Sequence, residues 1–133
     1  MSNEIKVNRK DLIYPELSYK IVGVLFEVFK DTGYGYQEKY YQKVLAVALK
    51  NHQLKFEEQI SITLEYKGNK VGRLVLDFLI ENKVVLEIKR GNYFSPQNIK
   101  QISEYLKATG LKLGLLANFT AQGVKIKRIL NIK

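Results

Sequence analysis

Two short runs of strand-forming residues face each other across a tight break in the middle of the chain, and they carry charge where an apolar hairpin would not. Residues 71–80 and 83–88 are rich in β-branched and apolar side chains, the composition of strands. Residues 81–83, Glu-Asn-Lys, form a polar break of hairpin length. A chain that turns back there sets Asp77 near Glu87. Side chains alternate faces along a strand. Glu87 and Lys89 are therefore predicted on one face, with Leu86 and Ile88 on the other. Asp77 is predicted to share its face with Val75 and Leu79, opposite Leu76, Phe78 and Ile80. Two carboxylates and an ammonium on one patch need an explanation, because a buried charge without a partner or a metal is expensive.

Two accounts compete. In one, Asp77 and Glu87 bind a divalent metal. Mg²⁺ takes hard oxygen ligands, commonly one or two carboxylates, with water and substrate phosphate completing the shell. Lys89 would then orient or help deprotonate an attacking water, or stabilise phosphate charge. In the other, the patch is a salt-bridged or solvated strand face, with Lys89 pairing with Glu87 or Asp77. The spacing alone does not separate them.

Composition narrows the choice. The 133 residues suit one domain, expected over 16–133 with residues 1–15 as a lead, and such a length buries one real core. Cysteine is absent and His52 is the one histidine. This excludes a disulfide framework, a cysteine-based zinc site and a multi-histidine metal site. His52 is expected to face solvent at a helix end. No apolar run is long enough to span a bilayer, and the first ten residues lack a signal-peptide core. The expectation is a cytoplasmic protein with no membrane contact. Lys+Arg number 22 against 13 Asp+Glu, a formal net charge of +9. That favours a polyanionic partner such as nucleic acid, with simple solubility as the plainer account.

The order of elements follows from periodicity. After Pro15, residues 16–31 place Ile21, Val22, Leu25, Val28 and Phe29 on one helical face. Residues 37–51 form a second helix with the stripe Tyr41, Val44, Leu45, Ala48 and Leu49. Glu38 lies on or beside that stripe, where a first-turn acid also complements the helix dipole. Residues 54–66 alternate as a half-buried strand. Lys67 to Lys70 make a turn before the Asp77 strand. Ser95 and Pro96 open a third helix over 97–109, stopped by Gly110. Residues 111–118 are almost continuously apolar, as in a strand covered on both faces. Residues 123–130 read as a last strand or short helix. Two helices, three strands, a helix, a strand and a terminal element predict a mixed sheet with helices packed on it.

With these residues in place, a resemblance emerges. Gly35, Glu38 and Tyr41 match the Gly-x-x-Glu-x-x-Tyr signature of the GxxExxY protein family. Asp77 and Glu87-Ile88-Lys89 resemble the PD-(D/E)xK nuclease core. Gln101 to Tyr105 resembles the Gln-x-x-x-Tyr helix motif of nuclease domains in recombination helicase–nucleases, and residues 105–110 and 114–119 look similar to that group. Leu76 stands where the motif has its namesake proline, and Phe29 stands where many family members carry histidine.

The resemblance implies an α/β (α+β) fold: a restriction-endonuclease-like core with a central mixed β-sheet flanked by helices. It implies that Asp77 and Glu87 bind Mg²⁺ or Mn²⁺, with the Ile88 carbonyl as a further ligand and Glu38 supporting the metal or its waters. Lys89 would be the catalytic lysine, and Gln101 and Tyr105 would orient the site or the nucleic-acid backbone. The implied activity is metal-dependent hydrolysis of phosphodiester bonds, with DNA as the expected partner. Arg73, Lys83, Arg90 and Lys100, near these elements in sequence, are candidate phosphate contacts. The alternative is a catalytically inactive nucleic-acid-binding or protein-interaction module on the same fold. Oligomeric state stays open, a homodimer included.

Overall fold

The computed structural model describes residues 13–132. Most of the expected lead lies outside the described residues; Ile13 and Tyr14 lie within them and pack against the core. Helix α1 (Pro15–Thr32) opens on Pro15, whose missing N–H removes a donor that a first turn leaves unpaired anyway. It buries Ile21, Val24, Leu25 and Val28. Helix α2 (Glu38–Asn51) buries Tyr41, Leu45, Ala48 and Leu49. Strands β1 (Phe56–Tyr66), β2 (Asn69–Ile80) and β3 (Val84–Arg90) form an antiparallel meander. Helix α3 (Pro96–Thr109) then crosses the sheet. The Ser95 hydroxyl caps it by accepting the N–H groups of Gln97 and Asn98, and Gly110 ends it in the left-handed region. This crossover makes β4 (Leu113–Thr120) parallel to β3, and β5 (Gly123–Leu130) returns antiparallel to β4. The last element is a strand rather than a helix.

The five strands lie in the sheet in chain order. Helices α1 and α2 cover one face, packing on Phe78, Ile80, Leu86, Ile88 and Phe119. Helix α3 covers the other with Ile102, Tyr105 and Leu106 against Leu76, Val85 and Leu116. All eight residues of β4 are buried, which accounts for the near-absence of alternation there. Among the described residues, no helix is long and apolar enough to cross a membrane.

The structure moves several strand boundaries. Lys67 and Gly68 take positive φ at the turn of the first hairpin, and Asn69 and Lys70 already pair with Tyr66 and Glu65. Strand β2 therefore starts two residues earlier than the composition predicts. Arg90 stays in β3 because the parallel register carries through to Phe119. The same ladder shifts β4 to residues 113–120.

The predicted face alternation through Asp77 also changes. Leu74 and Leu76 belong to the cluster beneath α3, whereas Phe78 and Ile80 belong to the cluster beneath α1 and α2. Strict period-2 alternation would have kept all four together. The break falls at Asp77, where pairing with β3 ends and pairing with β1 skips one residue.

Close approach of α3 to the sheet depends on Gly114. A Cβ placed there would overlap the Ile102 side chain and lie 3.1 Å from Val85 Cγ2. Both neighbours are fully buried. We expect Gly114→Ala to destabilise the fold by about 1–3 kcal/mol, the usual effect of overpacking a tight core. Denaturant unfolding measures it, and an unchanged midpoint would show that α3 shifts freely.

Candidate functional site

Main-chain pairing between β2 and β3 covers Phe78↔Leu86, Leu79↔Val85 and Ile80↔Val84, and goes no further. One step on, side chains take over from the ladder. The Asp77 N–H donates to Glu87 Oε1 at 3.0 Å, and the Ile88 N–H donates to Asp77 Oδ2 at 2.7 Å. Each carboxylate accepts from the opposite strand where a backbone carbonyl would otherwise serve, so neither N–H is left unpaired as the strands part. On the other edge of β2, Gln59 drops out of the register between Glu58↔Phe78 and Ile60↔Leu76. It adopts φ 50, an uncommon conformation for a residue with a side chain.

Helix α2 completes the site. Gln42 Nε2 donates to Asp77 Oδ1 at 2.9 Å. Lys89 Nζ lies 3.6 Å from Glu38 Oε1 and 3.8 Å from Glu87 Oε2, so its ammonium bridges the helix acid and the strand acid. Glu38 and Gln42 are four residues apart and share one helix face. That face, with Lys39, Lys43, Glu58, Gln59 and Arg90, lines an open cleft of about 720 Å³.

Asp77 is 8% exposed and Glu87 5%, which makes ionising both costly. Burial raises the Asp77 carboxyl above its ordinary range, against the Ile88 N–H bond and the Lys89 charge, which lower it. Burial, then the neighbouring Asp77 charge, pushes Glu87 up to about 8. Two desolvated carboxylates side by side attract either a proton or a cation.

Residues 15–129 match the PD-(D/E)XK nuclease superfamily. The chain belongs to that superfamily. In fold it is similar to the protein SSO0001, at 18% identity and a TM-score of 0.54, over 98% of this chain and 72% of that one. It is also similar to an alkaline exonuclease, LHK-Exo from Laribacter hongkongensis, at 14% identity and a TM-score of 0.52, over 86% and 69% of the two chains. No curated protein matches this sequence. The mixed sheet between helices is the restriction-endonuclease-like architecture.

Placed on this PD-(D/E)XK fold, Asp77, Glu87 and Lys89 converge, and Glu38 joins them through Lys89. Ile88 contributes its N–H to Asp77, while its side chain lies in the α1–α2 core. Gln101 Nε2 donates to the Val75 carbonyl at 3.3 Å, holding β2 two residues before Asp77. Tyr105 is buried beneath α3 with Leu76 and Leu106, its hydroxyl pKa raised by burial and then by Glu57. Of the candidate phosphate contacts, Arg90 lines the cleft. Arg73 bonds Ser61 on the β1–β2 hairpin. Lys83 sits over the Tyr14 ring, and Lys100 lines a separate groove on α3. His52 caps α2 and pairs with Glu27 at 3.0 Å. Phe29 packs edge-on against Phe119.

Sequence reasoning misses Gln42 and the cleft lysines Lys39 and Lys43. Gln42 carries a usable signal, its four-residue spacing from Glu38. The lysines carry none, since only the fold tells a cleft lysine from a solvated one.

The donor set suits a small hard cation. Among the described residues no three acidic or histidine side chains gather into a metal cluster, so the protein offers a pair. A pair of carboxylates is what Mg²⁺ commonly takes from a protein, leaving its other positions to water and phosphate. The lone pairs not engaged by N–H donors remain for it.

The raised Glu87 pKa fixes a pH dependence. Its folded value of about 8 exceeds the ordinary 4.5, so the native state holds more protons between those values. The stability this group contributes is then fully present below about 4.5 and is lost as pH rises towards 8. In EDTA, the wild-type melting temperature should fall across that window, and Glu87→Gln should flatten the fall. Equal slopes for the two proteins would remove Glu87 as its source.

Proposed function

We propose that this protein is a Mg²⁺- or Mn²⁺-dependent nuclease that hydrolyses phosphodiester bonds of DNA. The observation that carries this reading is the buried Asp77–Glu87 pair, crossed between two strands with Lys89 beside it, whose helix partners Glu38 and Gln42 line a cleft. The +9 charge supports a polyanionic substrate. The Gly35, Glu38 and Tyr41 pattern supports assignment to the GxxExxY group within the superfamily.

In this reading Asp77 and Glu87 would hold the cation, with the Ile88 carbonyl as a further ligand and Glu38 supporting its waters. When bound, the cation would supply polarisation of the phosphate and a lowered pKa for a water. The chain's own residues do the rest. Gln42 fixes the Asp77 carboxylate through its amide N–H. Lys89, held between Glu38 and Glu87, presents positive charge where the transition state accumulates negative charge. Arg90, Lys39 and Lys43 in the cleft contact phosphates on either side of the scissile bond. Gln101 fixes the strand that carries Asp77, and Tyr105 supports α3 behind it. A water oxygen attacks phosphorus in line with the leaving ester oxygen, giving one new hydroxyl end and one phosphate end.

Cleavage of labelled DNA and RNA with Mg²⁺ or Mn²⁺, against EDTA, tests the reading. We expect metal-dependent cleavage of DNA, a loss of roughly 10²–10³ in rate for Lys89→Ala, and near-normal DNA binding by that variant. Lys89→Ala that folds and cleaves at the wild-type rate would take the lysine out of the mechanism. Calorimetric Mn²⁺ titration reads the metal separately. Asp77→Asn should bind Mn²⁺ at least tenfold more weakly, a change of about 1.4 kcal/mol, and equal binding would move the cation elsewhere.

A further inference from the structure

Three large aromatic side chains stand exposed within residues 34–40, the segment that runs into the cleft-lining first turn of α2. Tyr34, Tyr36 and Tyr40 are 46%, 43% and 41% exposed. Aromatic rings usually bury most of their area, so three together in water need an account. They are also arranged. Tyr36 and Tyr40 stack with centroids 4.2 Å apart and planes at 21°. Tyr41 meets both edge-on, at 5.9 Å and 6.0 Å. Tyr41 is itself fixed: it is fully buried, its ring lies 4.2 Å from Phe119, and its hydroxyl donates to the Gly33 carbonyl at 2.6 Å. The outer rings therefore rest on a rigid base, which reduces the ordering entropy lost when something stacks on them.

Their surroundings are mixed in charge, with Lys39, Lys43 and Arg90 outnumbering Glu38 and Glu58 along the cleft. Tyr36 and Tyr40 flank Gln37, Glu38 and Lys39, all of which line the cleft, as do Lys43 and Arg90. The Arg90 guanidinium also lies 5.8 Å from the Tyr34 ring centroid, linking the aromatic patch to the cleft. Aromatic faces beside cations that track phosphates are the two parts of a single-strand binding surface. Paired bases in a duplex already stack on their neighbours and offer no free face.

We propose that Tyr36 and Tyr40, with Tyr34 held against Arg90, form a stacking platform for unpaired bases of a single-stranded nucleic acid whose backbone runs into the cleft. The platform deepens the nuclease reading by naming the substrate form, and it rests on that reading only for the cleavage that follows binding. A strand with its bases on the rings lies with its phosphates near Arg90 and Lys39, next to the Asp77–Glu87 pair.

Fluorescence anisotropy in EDTA tests the platform without catalysis. Three labelled probes are compared at one salt concentration: oligothymidylate of about twelve nucleotides, an abasic strand with the same number of phosphates, and a duplex. Stacking on even one ring contributes roughly tenfold in affinity. The wild type should bind the thymidine strand about tenfold more tightly than the abasic strand. The double variant Tyr36→Ala/Tyr40→Ala should lose that preference and keep its abasic-strand affinity. Tyr36→Phe/Tyr40→Phe, which keeps both rings and their packing, should retain the preference, so the result stands even where the alanine protein unfolds. Equal wild-type affinity for thymidine and abasic strands overturns the platform and leaves the tyrosines to a protein partner. Loss of preference in the phenylalanine variant overturns it equally. A protein that cleaves nothing with any metal still either shows or lacks the thymidine preference, so the two readings fail separately.

Discussion

The crossed bonds between Asp77 and Glu87 are the constraint on which the rest of the site depends. Strands β2 and β3 part at this level, and parting exposes N–H groups that the ladder no longer serves. The two carboxyl groups accept those N–H groups, so neither buried donor is left unpaired. The same arrangement brings two desolvated acids together, and burial raises the proton affinity of both. The features that close the strands' hydrogen bonding also create the demand for a positive charge. Lys89 meets part of that demand from 3.8 Å, and in the proposed function a divalent cation would meet the rest.

The mixed sheet gives this junction its place. Because α3 crosses over, β3 pairs in parallel with β4 and is covered on both faces, which fixes it firmly. The antiparallel partner β2 is then the strand free to diverge, and it does so at Asp77. Gln59 opposite, with its positive φ, leaves the β1 ladder at the same level. The divergence is thus shared across three strands, with Gln101 tying the departing part of β2 to α3. A residue held in a sparsely populated conformation beside a buried acid pair is the kind of strain that surrounding structure must over-determine.

Much of this was legible in the residues, and the limits have physical causes. The helices announce themselves by their stripes, and Ser95, Pro96 and Gly110 mark the ends of α3 by residue type alone. Hairpin geometry is enough to set Asp77 beside Glu87. Alternation fails at Leu76 because it assumes a continuous ladder, and the acids interrupt that ladder. Gln42 goes unassigned because an amide on a helix has many partners to choose from, and only the approach of α2 to β2 selects Asp77. Among the basic residues near the motif in sequence, Arg90 reaches the cleft, whereas Lys83 lies at the far turn of the hairpin. Proximity along an extended strand is a poor guide to proximity in space, since each residue advances the chain by about 3.3 Å.

The pattern of Gly35, Glu38 and Tyr41 has a structural logic of its own. Gly35 takes φ 114, a conformation that residues with a Cβ rarely adopt, and this aims the chain into the start of α2. Tyr41, six residues on, drives its ring into the core against Phe119 and returns its hydroxyl to Gly33. The first turn of α2 is therefore clamped at both ends, by a glycine that sets direction and a tyrosine that sets depth. Glu38, three residues from each, has little choice but to face Lys89. Its carboxylate is positioned by two residues that do no chemistry, and the same clamp leaves Tyr36 and Tyr40 on the outer surface of the turn. A motif that looks like a scatter of glycine, acid and aromatic is, in the folded chain, one device for holding a helix N-terminus at a fixed height above a pair of strand carboxylates.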